Sequence, residues 1–145
     1  MKIVSNKQQG FTLIEVMVVV VILGILAAVV VPRIMDNPDK ARITKAKQDI
    51  RALESALNLY RLDNYKYPTT DQGLEALITP PGDLATSSNY KQGGYIRKLP
   101  ADPWGSTYLY LSPGEHGELD IYSLGADGAP GGTGVSADIG NWNIQ

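Results

Sequence analysis

Two hydrophobic periodicities divide the chain. From Phe11 to Val31 apolar residues follow one another almost without a break, with one glycine (Gly24) and one carboxylate (Glu15) among them. Read as a helix, this run of about 21 residues measures roughly 31 Å, the thickness of a bilayer's hydrocarbon core. Further on, Ile43, Ala46, Ile50, Leu53, Leu57 and Tyr60 recur at spacings of three and four, which predicts an amphipathic helix over 39–62 with that stripe packed on a sheet. Between the two segments, Pro32 and Pro38 bracket RIMDN. Proline removes a helix donor and crowds the preceding turn, so a kink or loosening is expected there, with Asn37 as cap and Pro38 at the first position of a restarted helix. Residues 11–62 then form one long rod bent near Pro32, half of it in a membrane.

The remaining pattern is short and punctuated. DNYKYP (Asp63–Pro68) ends the helix, Thr70-Asp71-Gln72-Gly73 caps a short helix over Leu74–Ile78, and Pro80-Pro81 stops it. Residues 82–98 read as an irregular loop region. Two strands follow, Thr107–Leu111 and Glu118–Ser123, joined as a hairpin by the turn-forming SPGEHG. His116 lies in that turn and reads as a solvated residue, neither ligand nor catalyst. The fold class is therefore α+β: a long N-terminal helix packed on a small antiparallel sheet.

Composition narrows the function. The chain has 145 residues, a formal charge of −2 and no cysteine. Loss of residues 1–10 would remove Lys2 and Lys7 and leave 11 basic against 15 acidic residues, which argues against nucleic acid as a partner. A cleaved secretory signal is the competing reading of the N-terminus, but the apolar run is longer than an h-region and ends in Val-Val-Val-Pro-Arg, poor cleavage chemistry, so the segment stays with the protein. Counting basic flanks alone, Arg33, Lys40, Arg42, Lys45 and Lys47 would put the C-terminal side in the cytoplasm.

Lys2, Lys7, Gly10, Phe11 and Glu15, with GFTLIE in full, resemble the leader of the type IV prepilins. The resemblance implies cleavage between Gly10 and Phe11 by a membrane prepilin peptidase and N-methylation of the new Phe11 amine. It also implies retention of the apolar helix as a single-pass inner-membrane anchor with the C-terminal domain in the periplasm, which overrides the basic-flank count. Glu15 then acquires a reason. A carboxylate deep in a membrane helix costs roughly 2.5–3.5 kcal/mol and persists where it has a partner. The amine created at Phe11 is one helical turn away, and the amine of a neighbouring subunit is a second candidate. On this reading Glu15 recruits the next subunit; the plainer alternative is a glutamate snorkelling at the interface.

The C-terminal SLGADGAPGGTGVSADIGNW holds a formal GxGxxA at Gly132–Ala137, but too few residues follow for a dinucleotide fold and no P-loop lysine is present. A calcium loop is the better chemical reading, because Asp127 and Asp138 stand at the two ends of a glycine-rich stretch able to turn its carbonyls inward; a plain mobile turn is the alternative. The segment from Leu99 to Trp142, with its DPWG (Asp102–Gly105), YLYLSPG, YSLGADG and ADIGNW, is similar to the C-terminal region of the major pseudopilins of type II secretion systems. With the N-terminal motif, the likeness spans nearly the whole chain and implies a pilin-like fold. It also implies calcium bound by the Leu124 carbonyl, the carboxylates of Asp127 and Asp138, and carbonyls among Thr133, Val135 and Ser136. In DPWG, Pro103 and Gly105 read as a turn and Trp104 as an apolar anchor; Trp142 is expected to play a similar core role.

The function so implied is that of a repeating subunit of a periplasmic pseudopilus, a homopolymer acting as a piston that drives folded proteins across the outer membrane. Its implied partners are further copies of itself, minor pseudopilins, the prepilin peptidase, an inner-membrane assembly platform and a cytoplasmic assembly ATPase. Loosening at Pro32 would let the helix stretch during extraction from the membrane, and Glu54 and Arg97 are expected to pair between subunits. Two other readings remain. A type IV pilin of a surface pilus commonly closes its C-terminal region with a disulfide, which this chain lacks. A membrane-anchored periplasmic enzyme would need a nucleophile–base pair that the sequence does not offer.

Overall fold

The computed structural model describes residues 10–85 and 89–144, with the side chains of 29–37 outside the described set. One helix, α1 (Leu13–Asn64), is followed by a 3-10 turn at Leu74–Leu77 and a three-stranded sheet of β1 (Leu109–Leu111), β2 (Asp120–Ser123) and β3 (Ile139–Gly140). Contacts divide the chain into two compact units, Met1–Pro38 and Asp39–Gln145.

In the first unit, Thr12 begins the helix: its carbonyl accepts from the Glu15 and Val16 amides at 3.1 and 3.4 Å. The side chains from Leu13 to Ala28 are exposed on every face of α1. Among the described residues no helix is long and apolar enough to cross a membrane. The apolar run continues in sequence to Val31, where the side chains fall outside the described set. The helical backbone runs on through Pro32 and Pro38 and does not restart at an Asn37 cap. The loosening expected at Pro32 concerns side chains outside the described residues.

In the second unit the predicted stripe is the core. Ala46, Ile50, Leu53, Leu57 and Tyr60 are buried, with Ala56 joining them and Ile43 half-buried at the margin. Against this stripe pack Leu74, Ala76 and Leu77 and the sheet residues Tyr108, Tyr110, Leu119, Ile121 and Ile139. Tyr108 and Tyr110 alternate with the more exposed Leu109 and Leu111, the period of two that a one-sided sheet requires. α1 extends two residues past the predicted end, because the Asn64 amide turns back to the Tyr60 carbonyl and to the Tyr95 hydroxyl, both at 2.9 Å. Tyr65, at φ 63°, then breaks the helix in the left-handed region.

The predicted short helix is a 3-10 turn over Leu74–Leu77 entered through Gly73, with no side-chain cap. The capping chemistry lies one turn earlier: the Thr69 amide donates to Gln72 Oε1 and the Gln72 amide to Thr69 Oγ1, a reciprocal box. The hairpin is present as β1 and β2, antiparallel with Tyr110 opposite Ile121, in strands shorter than the hydrophobic pattern implied. The strand β3 is an addition. It pairs Ile139 with Ser123 and Gly140 with Tyr122, which closes the neck of the glycine-rich loop.

Five tyrosines of the second unit have hydroxyl pKa values raised by burial, which bears on stability at alkaline pH. The Tyr60 hydroxyl is pushed up to about 12, chiefly by burial and then by the Asp83 carboxylate and neighbouring tyrosines. Burial leads the upward shift at Tyr90, Tyr95, Tyr108 and Tyr110 as well. A folded value above the unfolded one, about 10, means that the stabilisation is complete below pH ~10 and is lost as pH rises through the folded values. The Tyr60 hydroxyl is also buried without a hydrogen-bond partner among the described residues. We expect Tyr60→Phe to gain about 1 kcal/mol at pH 7 and to lose less stability between pH 9 and 12 than the parent, read by urea unfolding at each pH. A less stable variant at pH 7 would contradict this account.

Candidate functional site

Three sets of residues were expected to carry function, and they lie in different parts of the chain. At the N-terminus, Gly10 and Phe11 precede α1; Phe11 is 84% exposed. Glu15 sits in the first helical turn. Phe11, Glu15, Val16, Val19 and Val20 share one face and line a crevice of about 360 Å³. Thr12-Leu13-Ile14-Glu15 has the spacing of a capping box, yet among the described residues the Glu15 carboxylate takes no hydrogen bond and no ion pair. Among the described residues the acid stands uncommitted on an apolar face, next to the residue that cleavage would turn into a chain terminus.

Glu54 is half-buried beside the core stripe and Arg97 is exposed in the loop ahead of the hairpin. Neither has an ion-pair partner within the chain among the described residues, whereas Arg61 pairs with Glu118 at 2.7 Å and Lys66 with Asp83 at 3.0 Å. The structure does not bring Glu54 and Arg97 together within one chain.

The glycine-rich loop leaves the sheet at Ser123 and returns at Ile139. It opens with a 3-10 turn, Gly125–Asp127, stopped by Gly128 in the left-handed region at φ 64°. Asp127 Oδ1 accepts from the Ala129 amide at 3.1 Å, an Asx turn. The middle of the loop is tied to its returning end by a two-way bond: the Gly131 amide donates to Asp138 Oδ2 at 2.9 Å and the Asp138 amide to the Gly131 carbonyl at 3.2 Å. A second 3-10 turn covers Gly134–Ser136. Gly125 is pressed against it: a Cβ there would meet the carbonyl oxygens of Val135 and Ala137 at 2.9 Å.

Whether this loop fits a cation turns on one atom. Asp138 Oδ1 is buried and has no hydrogen-bond partner among the described residues. A buried carboxylate oxygen left unpaired is costly, and a bound cation would satisfy it. The loop offers two carboxylates, Asp127 and Asp138, and backbone carbonyls, hard donors of the kind calcium prefers. Among the described residues no three His, Cys, Asp or Glu side chains gather, so any cation shell must draw mainly on carbonyls. The fit is positive.

Two clusters beside the loop escaped the reading of the sequence. His116 is not simply solvated. Its Nδ1 lies 2.9 Å from Asp120 Oδ2, and its ring stacks on Trp142 with centroids 3.9 Å apart and planes 6° from parallel. Asp120 is buried and also accepts from the backbone amides of Glu115 (2.8 Å) and His116 (3.1 Å). Burial pushes its pKa up, but the His116 bond and the two amides outweigh it and hold the carboxyl below the ordinary range. Trp142, expected in the core, is half-buried and serves as the stacking platform for His116. The second cluster is the set of bonds made by the Asp102 side chain in the DPWG turn, a turn that the sequence did predict. Asp102 Oδ1 accepts from the Trp104 and Ser106 amides at 3.1 and 2.7 Å, and Oδ2 from Ser123 Oγ at 2.6 Å. Trp104 packs against the core as expected. An aspartate two residues ahead of a glycine-containing turn was a legible signal for the first of these bonds. Nothing local pointed to the second.

Comparison with known proteins shows the family. Residues 33–142 match the family described as Type II secretion system (T2SS), protein G, and residues 5–31 match the Prokaryotic N-terminal methylation motif. The chain is 63% identical to the type II secretion system core protein G of Vibrio cholerae over 140 residues, 97% of this chain and 95% of that one. It is 58% identical to the core protein G of Pseudomonas aeruginosa over 138 residues, 95% of this chain and 97% of the other. A crystal structure of the major pseudopilin of the enterohaemorrhagic Escherichia coli type 2 secretion system superposes with a TM-score of 0.66 at 50% identity, covering 77% of this chain and 91% of that one.

Proposed function

The chain belongs to the protein G family of type II secretion systems and is a structural subunit of the pseudopilus, and from that premise we propose how it is processed, held and assembled. The prepilin peptidase cleaves after Gly10, and the exposed Phe11 amine is methylated. The apolar helix anchors the subunit in the inner membrane with its C-terminal unit in the periplasm. An assembly platform and a cytoplasmic ATPase extract subunits and add them to a homopolymer, which grows as a piston behind exported proteins; minor pseudopilins join the same fibre. No catalysis is assigned to the chain.

The observation that carries this reading is the uncommitted Glu15 carboxylate beside Phe11 on an exposed apolar face. Moving an apolar helix from lipid into a bundle of like helices is nearly neutral in hydrophobic terms, so polar pairing and packing must supply register. Contacts that do not close into a ring build an open helical fibre. Glu54 and Arg97, unpaired among the described residues, supply lateral contacts between copies. The test is the mass of the N-terminal peptide of the chain purified from membranes. A chain starting at methylated Phe11 is expected; one starting at Met1 in secreting cells refutes the scheme.

Calcium belongs to the same proposal. The Leu124 carbonyl, the Asp127 and Asp138 carboxylates, and carbonyls from Thr133, Val135 and Ser136 would hold the ion, which would supply charge for Asp138 Oδ1 and staple a domain that has no disulfide. A ligand that binds only the folded state stabilises it by mass action, about 2.7 kcal/mol at a hundredfold excess over Kd. Chelation is therefore expected to lower the melting midpoint by several degrees, and readdition of calcium to restore it. A midpoint indifferent to both removes calcium from the scheme.

A further inference from the structure

We propose that Asp102 and Ser123 form a buried relay that positions the cation loop between Leu124 and Asp138. The inference rests on the calcium reading and adds two residues that are not themselves ligands. Asp102 is fixed by its own turn: its amide donates to the Ser106 carbonyl at 2.8 Å, its carbonyl accepts from the Gly105 amide at 3.1 Å, and Oδ1 holds the Trp104 and Ser106 amides. One oxygen, Oδ2, is left to act outward, and it takes the Ser123 hydroxyl. Asp102 is 5% exposed and Ser123 is fully buried.

A serine hydroxyl has one proton and two lone pairs. With the proton committed to Asp102, the Ser123 oxygen accepts from the Gly125 amide at 3.2 Å. The relay thus runs from the DPWG turn, through the last residue of β2, to the glycine that starts the loop. Gly125 is held at φ 70° and sits against the Val135–Ala137 backbone with no room for a Cβ. Whatever fixes Gly125 therefore fixes the distance between the Leu124 end of the loop and the Val135–Ser136 carbonyls. Those are the two halves from which a calcium shell would be drawn. Residues that orient ligands through hydrogen bonds commonly change metal affinity about 10–100-fold when removed.

The test uses the full-length chain in detergent micelles, with calcium titrated calorimetrically into the parent, Ser123→Ala, Asp102→Asn and Leu77→Ala. Asp102→Asn keeps the Oδ1 acceptor for the turn but reverses the polarity offered to Ser123, so it separates the relay from the turn itself. Leu77→Ala opens a core cavity without touching the relay and controls for lost stability. We expect calcium Kd to rise about 10–100-fold in Ser123→Ala and Asp102→Asn and to stay within about twofold in Leu77→Ala. In chelated protein, the Gly125 amide should exchange at least ~10-fold faster in Ser123→Ala than in Leu77→Ala, once each rate is normalised to global stability. Parental calcium affinity in both relay variants overturns the proposal and leaves the calcium reading standing. A parent chain that binds no calcium overturns both.

Discussion

Glu15→Ala is expected to abolish growth of the fibre while leaving the second unit as stable as in the parent. Cleavage after Gly10 would place a positive amine at Phe11, and in an apolar surrounding that charge needs a partner. Among the described residues Glu15 has none of its own, so its acid is available for the exchange. Breaking one side of a desolvated ion pair costs about 3–5 kcal/mol, because the surviving charge is left uncompensated. Per subunit added, that is a loss of roughly 10²–10⁴-fold in the equilibrium for incorporation. Pelleting of cross-linked fibres and release of an exported protein are the measurements, with Glu15→Asp expected to fall between parent and alanine. Fibres of normal length from Glu15→Ala would show that the acid is a bystander.

Asp120→Ala should lower the unfolding free energy by about 3 kcal/mol. Its carboxylate gathers three donors into one buried point, the amides of Glu115 and His116 and the ring of His116. Each bond to a charged acceptor contributes about 1.5–3 kcal/mol, offset in part by the carboxylate's own desolvation. Gly114 shows how closely the turn wraps this group, since a Cβ there would come within 2.6 Å of Asp120 Oδ1. The pH dependence has a definite sign. A folded pKa held below the unfolded value contributes stability that is present above pH ~4 and fades as pH falls through the depressed value. Parent protein should therefore lose stability below pH ~4 more steeply than Asp120→Asn. Urea unfolding at pH 7 and pH 3 measures both effects, and a loss below about 1 kcal/mol for the alanine variant would mean that water replaces the carboxylate at little cost.

The fold was legible to different depths along the chain. The α1 stripe from Ala46 to Tyr60 could be read because helical burial repeats every three to four residues and needs no partner to be recognised. The β1–β2 hairpin was readable for a similar reason: alternation and turn residues are local. The helix restart at Asn37–Pro38 was read from proline chemistry alone, and the continuous helical backbone overrode it. β3 went unread because two residues flanked by glycine-rich and Asn-rich sequence carry no period of their own; Ile139 becomes a strand only when Ser123 is there to pair with it.

By itself the sequence determined membership of the pseudopilin family, the N-terminal motif that carries Gly10, Phe11 and Glu15, the apolar and amphipathic halves of α1, and the two acids of the glycine-rich loop. These are properties of residue type and spacing along a line. Only the tertiary structure decided that Asp102 reaches Ser123 across 21 positions, that His116 is pinned between Asp120 and Trp142, and that Asp138 keeps one buried oxygen unpaired among the described residues. Hydrogen bonds and desolvation depend on which groups the fold brings within about 3 Å, and distance along the chain does not encode that.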